Sequence, residues 1–202
     1  MVIEPDDTVI IRIARSEMGQ GTLTGLAQLV VEELECDWSR VKTEYPTPGQ
    51  SLARGRIWGS FSTGGSQGIR GSHQYVREGG AAAREMLIEA AADLWGVPVE
   101  ECQVSAGVIT HRPTGRNTTY GKVAAAASQL VPPFEVELKN PKDWKIVGKP
   151  VKRLDTLDKL TGRQVFGADF QLPGMLNAAI KACPVFGGTV DSFDASAVSK
   201  MP

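Results

Sequence analysis

Two glycines flank a single glutamine at Gly19-Gln20-Gly21, where an extended stretch gives way to an amphipathic one, and no other feature restricts the fold as tightly. Upstream, Thr8 to Ala14 is β-branched and alternating behind the turn-forming Asp6-Asp7, which predicts a strand. Downstream, Leu23, Leu26, Ala27, Val30, Val31 and Leu34 recur at the three-and-four spacing of one helix face. Glycine at such a junction lets backbone N–H groups and the Gln20 amide face a small ligand without Cβ atoms in the way. The same turn is an ordinary way for a strand to enter a helix, so by itself it is a weak sign of a site. Glu32, Glu33 and Glu35 lie mostly off the apolar face and read as solvated helix surface. Asp37 to Arg40 then turns the chain into a second strand, Val41 to Tyr45, which stops at Pro46 and Pro48.

Residues 49–71 form a long stretch rich in Gly, Ser and Arg, and loops of that length inside a compact domain are usually functional or disordered. Within it, Thr63, Gly64, Gly65, Ser66 and Gln67 run into a helical pattern carrying Val76, Ala83, Leu87, Ala90 and Leu94 on one side. The expectation is that these hydroxyls and amides stand at the start of a long helix, where free N–H groups and the macrodipole favour phosphate oxygens. No Gly-Lys-Ser/Thr follows, so this is not a P-loop. Gly96 and Pro98 end the helix. A hairpin-like pair follows around Ala106-Gly107, and Thr119 is placed to cap a short, alanine-rich helix reaching Leu130. His111 reads as a solvated surface histidine, and His73 draws notice only because it adjoins the Gly-rich loop.

Composition narrows the class. A net charge of -1 gives no electrostatic case for nucleic acid or an anionic membrane. Cys36, Cys102 and Cys183 stand far apart with only two histidines to assist them, which argues against a zinc or iron–sulfur site in this chain. No apolar run has the length of a membrane span and the N-terminus lacks a signal-peptide pattern, so the chain reads as soluble, cytoplasmic or periplasmic, with any leader outside it. Residues 131–150 contain four prolines and read as an extended connection. Beyond them lie a turn-rich segment, strand-like runs at Asn177 to Ala182 and Val190 to Phe193, and the start of a helix at Ala195. The division expected is 1–148 and 149–202, within an α+β fold.

Taken together, Glu17-Met-Gly-Gln-Gly21, the Ser62 to Gly68 loop with its helix, the Tyr120-Gly-Lys-Val-Ala run and the Arg153 to Ile180 stretch resemble the molybdenum hydroxylases, the xanthine dehydrogenase and aldehyde oxidase family. The cofactor motif precedes the hammerhead-like stretch, which resembles the isoquinoline-oxidoreductase-like branch of that family and not the order in xanthine dehydrogenase. The resemblance implies part of a molybdopterin-binding domain followed by an incomplete α/β hammerhead. It implies cofactor contacts from Gly19, Gln20, Gly21, Thr63, Gly64, Gly65, Ser66 and Gln67, and no catalytic residue here, since the family's glutamate base belongs to a later segment. It also implies molybdopterin cytosine dinucleotide with molybdenum, a small partner subunit carrying [2Fe-2S] clusters in a heterodimer, and hydroxylation of an N-heteroaromatic compound or an aldehyde with oxygen from water. On this reading the chain is an N-terminal piece, inactive alone and prone to self-association. Two other readings stand beside it: a non-enzymatic module binding a phosphate-bearing ligand, and a purely structural interaction domain.

Overall fold

The computed structural model describes residues 1–201. They fall into two units, Met1–Gln164 and a second one that starts at Val165. The first unit is built on β1 (Val2–Ile3), β2 (Val9–Arg12), α1 (Thr22–Leu34) and β3 (Val41–Glu44). β1 pairs antiparallel with β2 through a turn in which the Asp6 carboxylate accepts from Thr8 N–H. β3 then pairs parallel with β2, Val9 opposite Val41 and Arg12 opposite Glu44. A parallel neighbour needs a crossover, and α1 supplies it. The alternation of β2 sends Val9, Ile11 and Ile13 into the core, where they meet Leu26, Val30 and Leu34 of α1.

α1 is buried nearly all round, because three further elements cover the sides that β2 and β3 leave open. One is α4 (His73–Trp95), whose Gly80 approaches so closely that a Cβ there would lie 2.6 Å from the Val30 carbonyl oxygen. A second is the antiparallel sheet β4 (Cys102–Ser105), β5 (Val108–His111) and β6 (Asn117–Thr119) with α5 (Tyr120–Ala127). Buried Tyr120 donates its O–H to the Leu34 carbonyl at 2.6 Å. Ala106 and Gly107, both at positive φ, make the tight hairpin turn that the sequence predicts. Thr119 does precede α5 but makes no side-chain cap. Asp7 reaches the same end from the first hairpin, accepting from Gly121 N–H at 2.7 Å.

The third cover is the 131–150 connection, and it corrects the reading of the α1 glutamates. Glu32 and Glu33 are 2% and 0% exposed. The Glu32 carboxylate accepts from the N–H groups of Lys145, Ile146 and Val147 at 2.7–3.0 Å. Glu33 pairs with buried Arg77 of α4 at 2.7 Å and accepts from Lys139 N–H. These carboxylates look solvated by periodicity because periodicity records only which face is apolar, and here the polar face is covered by a segment rich in donors. His111 is corrected likewise. It is 3% exposed, with Nε2 against Glu101 and Nδ1 against Thr114, both at 2.7 Å.

Residues 49–71 are less irregular than expected, holding α2 (Pro48–Ala53) and α3 (Gln67–Arg70). Thr47 and Gln50 close a reciprocal capping box at the start of α2. After α6 (Thr156–Leu160) the first unit ends. Within the second unit no described residue is buried, and the regular pieces are 3-10 turns at Gly167–Asp169 and Val198–Lys200. The runs at 177–182 and 190–193 therefore form no ladder, and 195–200 is a single tight turn. Alternation marks a segment fit for a sheet, but a strand also needs a neighbour for its N–H and C=O groups, and the described residues offer none here.

Candidate functional site

β2 and β3 run parallel and are joined by α1, and both glycine-rich segments lie past the C-terminal end of β2, where Ser16 N–H donates to Thr63. The chain leaves β2 through Ile13, Ala14 and Arg15, then turns at Gly19 (φ 102°) and Gly21 (φ 85°) into α1. The Gln20 side chain folds back on this turn. Its Oε1 accepts from Met18 N–H, and its Nε2 donates to the Ser16 carbonyl at 2.9 Å. Met18, Gly19 and Gln20 remain exposed.

The second segment is brought alongside. Thr63 Oγ1 accepts from Ser16 N–H at 3.1 Å, and Gly68 packs so tightly on Thr22 that a Cβ would lie 2.9 Å from its hydroxyl. Arg15, 6% exposed, holds the approach to this loop: it donates to the carbonyls of Ser60 and Ser62 and, through Nε, to Ser72 Oγ at 3.0 Å. Three separated pieces of chain are thus tied at one buried guanidinium, whose five donors suit such a junction. The segment does not enter the long helix directly. Ser66, at φ 59°, leads into the four-residue α3, and α4 begins only at His73. A single turn carries little macrodipole, so whatever anion preference this loop has comes from its N–H groups. Among the described residues, the N–H groups of Gly64, Gly65 and Ser66 donate to no protein acceptor, and all three residues are exposed. Gln67 N–H is turned inward to the Gly64 carbonyl at 3.3 Å.

Four further side chains hold this arrangement: Arg15 and Tyr45 lie outside the motifs, while Glu17 and Arg153 lie within them but carry no signal of this role. The Glu17 carboxylate accepts from Gly19, Gly21 and Leu23 N–H groups. Tyr45, just past β3, accepts from Glu17 N–H at 3.2 Å. Arg153 bridges Glu17 and Asp155 at 3.1 and 2.8 Å. Burial alone would raise the Glu17 pKa, but the three N–H donors and Arg153 outweigh it and hold the carboxyl below its usual range. Asp155 is held well below the usual carboxylate range, chiefly by hydrogen bonds from Arg153 with burial opposing and Lys159 assisting. Among the described residues no cluster of His, Cys, Asp or Glu could hold a metal ion, and no helix is long and apolar enough to cross a membrane.

Comparison with known proteins adds an independent line. Residues 1–165 match the family model described as a molybdopterin cofactor-binding domain. The β subunit of isoquinoline 1-oxidoreductase from Brevundimonas diminuta is 28% identical over 234 residues, covering 99% of this chain and 30% of its own. The membrane-bound aldehyde dehydrogenase [pyrroloquinoline-quinone] of Gluconacetobacter polyoxogenes is 30% identical over 206 residues, covering 98% and 26%. One of the subunits of nicotinate dehydrogenase from Pseudomonas putida is 26% identical over 195 residues, covering 92% and 16%. The chain therefore spans less than a third of the length of each of these relatives.

Proposed function

The chain belongs to the molybdopterin cofactor-binding domain family, and from that membership we propose that it forms part of the cofactor-binding subunit of a molybdenum-dependent oxidoreductase. The observation that carries this reading beyond the family match is the meeting of the two glycine-rich segments at one end of the β2–α1–β3 unit. The residues fit such a cofactor unevenly. Gly64, Gly65 and Ser66 are exposed and their N–H groups have no acceptor among the described residues, which suits oxyanions of a pterin phosphate or diphosphate, with Thr63 and Gln67 at the flanks. Gly19 and Gln20 offer an exposed, close-approach edge beside half-buried Gly21, but the Gly19 and Gly21 N–H groups and the Gln20 side-chain amide are engaged within the protein.

In this proposal the cofactor is molybdopterin cytosine dinucleotide, and when bound it supplies the oxidative hydroxylation of an N-heteroaromatic ring or an aldehyde with oxygen taken from water. The residues of this chain hold and orient it. The base, the [2Fe-2S] clusters and the small subunit carrying them would come from elsewhere in the enzyme, and residues 149–202 would belong to the hammerhead-like domain. Two of the relatives are named as subunits, which supports a multi-subunit enzyme.

The test is elemental and nucleotide analysis of the holoenzyme containing this chain, wild type and variant. Molybdenum and releasable cytidine nucleotide should both be present. Gly65→Val should lose them more completely than Ser66→Ala, because Gly65 sits at φ 63° and a branched Cβ both strains the turn and covers its N–H groups. Gln20→Ala should cause a partial loss of occupancy, since a hydrogen bond is worth about 1 kcal/mol net. Equal retention in all three variants would reject the site. A bound quinone without molybdenum would move the chain to the cofactor named for the aldehyde dehydrogenase relative.

A further inference from the structure

The start of a helix ordinarily leaves N–H groups open to an anion, and at α1 a carboxylate of the chain itself takes the Leu23 N–H together with those of Gly19 and Gly21 just ahead of it. Glu17 Oε1 accepts from Gly19 N–H at 2.8 Å and from Gly21 N–H at 2.9 Å, while Oε2 accepts from Leu23 N–H at 3.1 Å. The side chain that fills this nest is itself 9% exposed. Arg153 lies over it. Nη2 stands 3.1 Å from Glu17 Oε1, and Nη1 donates to the Gly19 carbonyl at 2.9 Å, so one guanidinium grips both the carboxylate and the turn. Arg153 is oriented in turn by two bonds to Asp155, and Lys159 donates to the same carboxylate at 2.6 Å. A further bond, Leu154 N–H to Thr24 Oγ1 at 3.1 Å, fastens this segment to α1.

We propose that Glu17 is a positioning residue. With Arg153 as its counter-ion, its carboxylate fills the amide nest at the start of α1, fixes the Gly19–Gly21 turn and excludes anionic ligand groups from it. The inference rests on the reading of this turn as a ligand-facing element and assigns it a neutral character: a ligand meets the uncharged edge of Gly19 and Gln20 there. Its anionic groups are directed to Gly64, Gly65 and Ser66, whose N–H groups carry no internal acceptor among the described residues. The latch also makes the turn depend on a residue more than a hundred positions along the chain.

Backbone amide NMR of the chain, without cofactor, tests the latch separately from cofactor binding, which the occupancy measurements above address. The charged or titratable side chains in contact with Glu17 are Arg153 and Tyr45, with Asp155 paired to Arg153 and Lys159 paired to Asp155. In the wild type, the Gly19, Gly21 and Leu23 amides should titrate together with a midpoint below the ordinary glutamate value, and Arg153→Met should raise that midpoint. At neutral pH, acetate should leave these three amides unmoved in the wild type and should shift them towards wild-type positions in Glu17→Ala, where it replaces the missing carboxylate. An equal acetate response in wild type and Glu17→Ala, or a midpoint unaffected by Arg153→Met, overturns the proposal. If Glu17→Ala does not fold, the titration and the Arg153→Met comparison decide it.

Discussion

Glu32 shows how a single carboxylate can fasten a whole segment. Three successive N–H groups at 145–147 converge on it, with Lys139 Nζ 3.6 Å away, so the 131–150 connection is pinned at its far end by one residue of α1. Burial works against the ionised form, but those donors prevail and the pKa lies below the usual glutamate value. The sign of the linkage follows. The folded-state pKa is depressed, so this stabilisation is fully present above the unfolded value of about 4.3 and is lost as pH falls through the folded-state pKa. Urea unfolding of wild type and Glu32→Gln at pH 7 and at stepwise lower pH should show the variant less stable at neutrality. The gap should narrow under acid, and a gap that stays constant to low pH would remove Glu32 from the account of acid sensitivity. Glu33 and Arg77 form a neighbouring pair of a different kind, since each is buried and removal of either would strand the other's charge.

Between elements, the deciding contact is the crossing of α1 and α4. Gly80 sits in α4 against the Val30 carbonyl, and a Cβ there would also come within 3.1 Å of Glu33 Cβ. Neither atom can yield by rotating the far end of a flexible chain, because one is backbone and the other is fixed by the Glu33–Arg77 pair. Gly80→Ala should therefore destabilise the protein despite alanine's better helix propensity, by about 1–3 kcal/mol as for other overpacked core sites. Gly79, one position earlier, has nothing within 4 Å of its Cβ position, so Gly79→Ala should be neutral or stabilising by up to about 1 kcal/mol. Chemical denaturation of the two variants reads the contrast directly, and equal effects would mean that the close approach is not what fixes the crossing.

At the scale of the whole molecule, all the buried side chains among the described residues belong to the unit that ends at Gln164. Residues 165–201 instead expose Phe166, Phe170, Leu176, Ile180, Phe186 and Phe193, so this segment adds no core. A chain ended after Gln164 should unfold with the same urea midpoint as the full 202 residues, within experimental error. A large drop in midpoint would show that the second unit stabilises the first.

What the sequence determined by itself was local. The alternation of β2, the three-and-four period of α1, the Gly96 stop of α4 and the Ala106-Gly107 turn each follow from a few neighbouring residues, because backbone sterics and a single apolar face suffice to specify them. The two glycine-rich segments were legible for the same reason, as stretches whose backbone is open to close approach. Only the tertiary structure decided what meets what. It put Thr63 on Ser16, closed the 131–150 segment over Glu32 and Glu33, drew His111 between Glu101 and Thr114, and laid Arg153 across Glu17. Apart from the His111–Thr114 contact, three positions apart, those pairings join residues from ten to well over a hundred positions apart, and a carboxylate facing solvent looks the same in a sequence as one facing a row of buried N–H groups. The difference lies in which donors the rest of the fold brings to it, and that depends on the path of the whole chain.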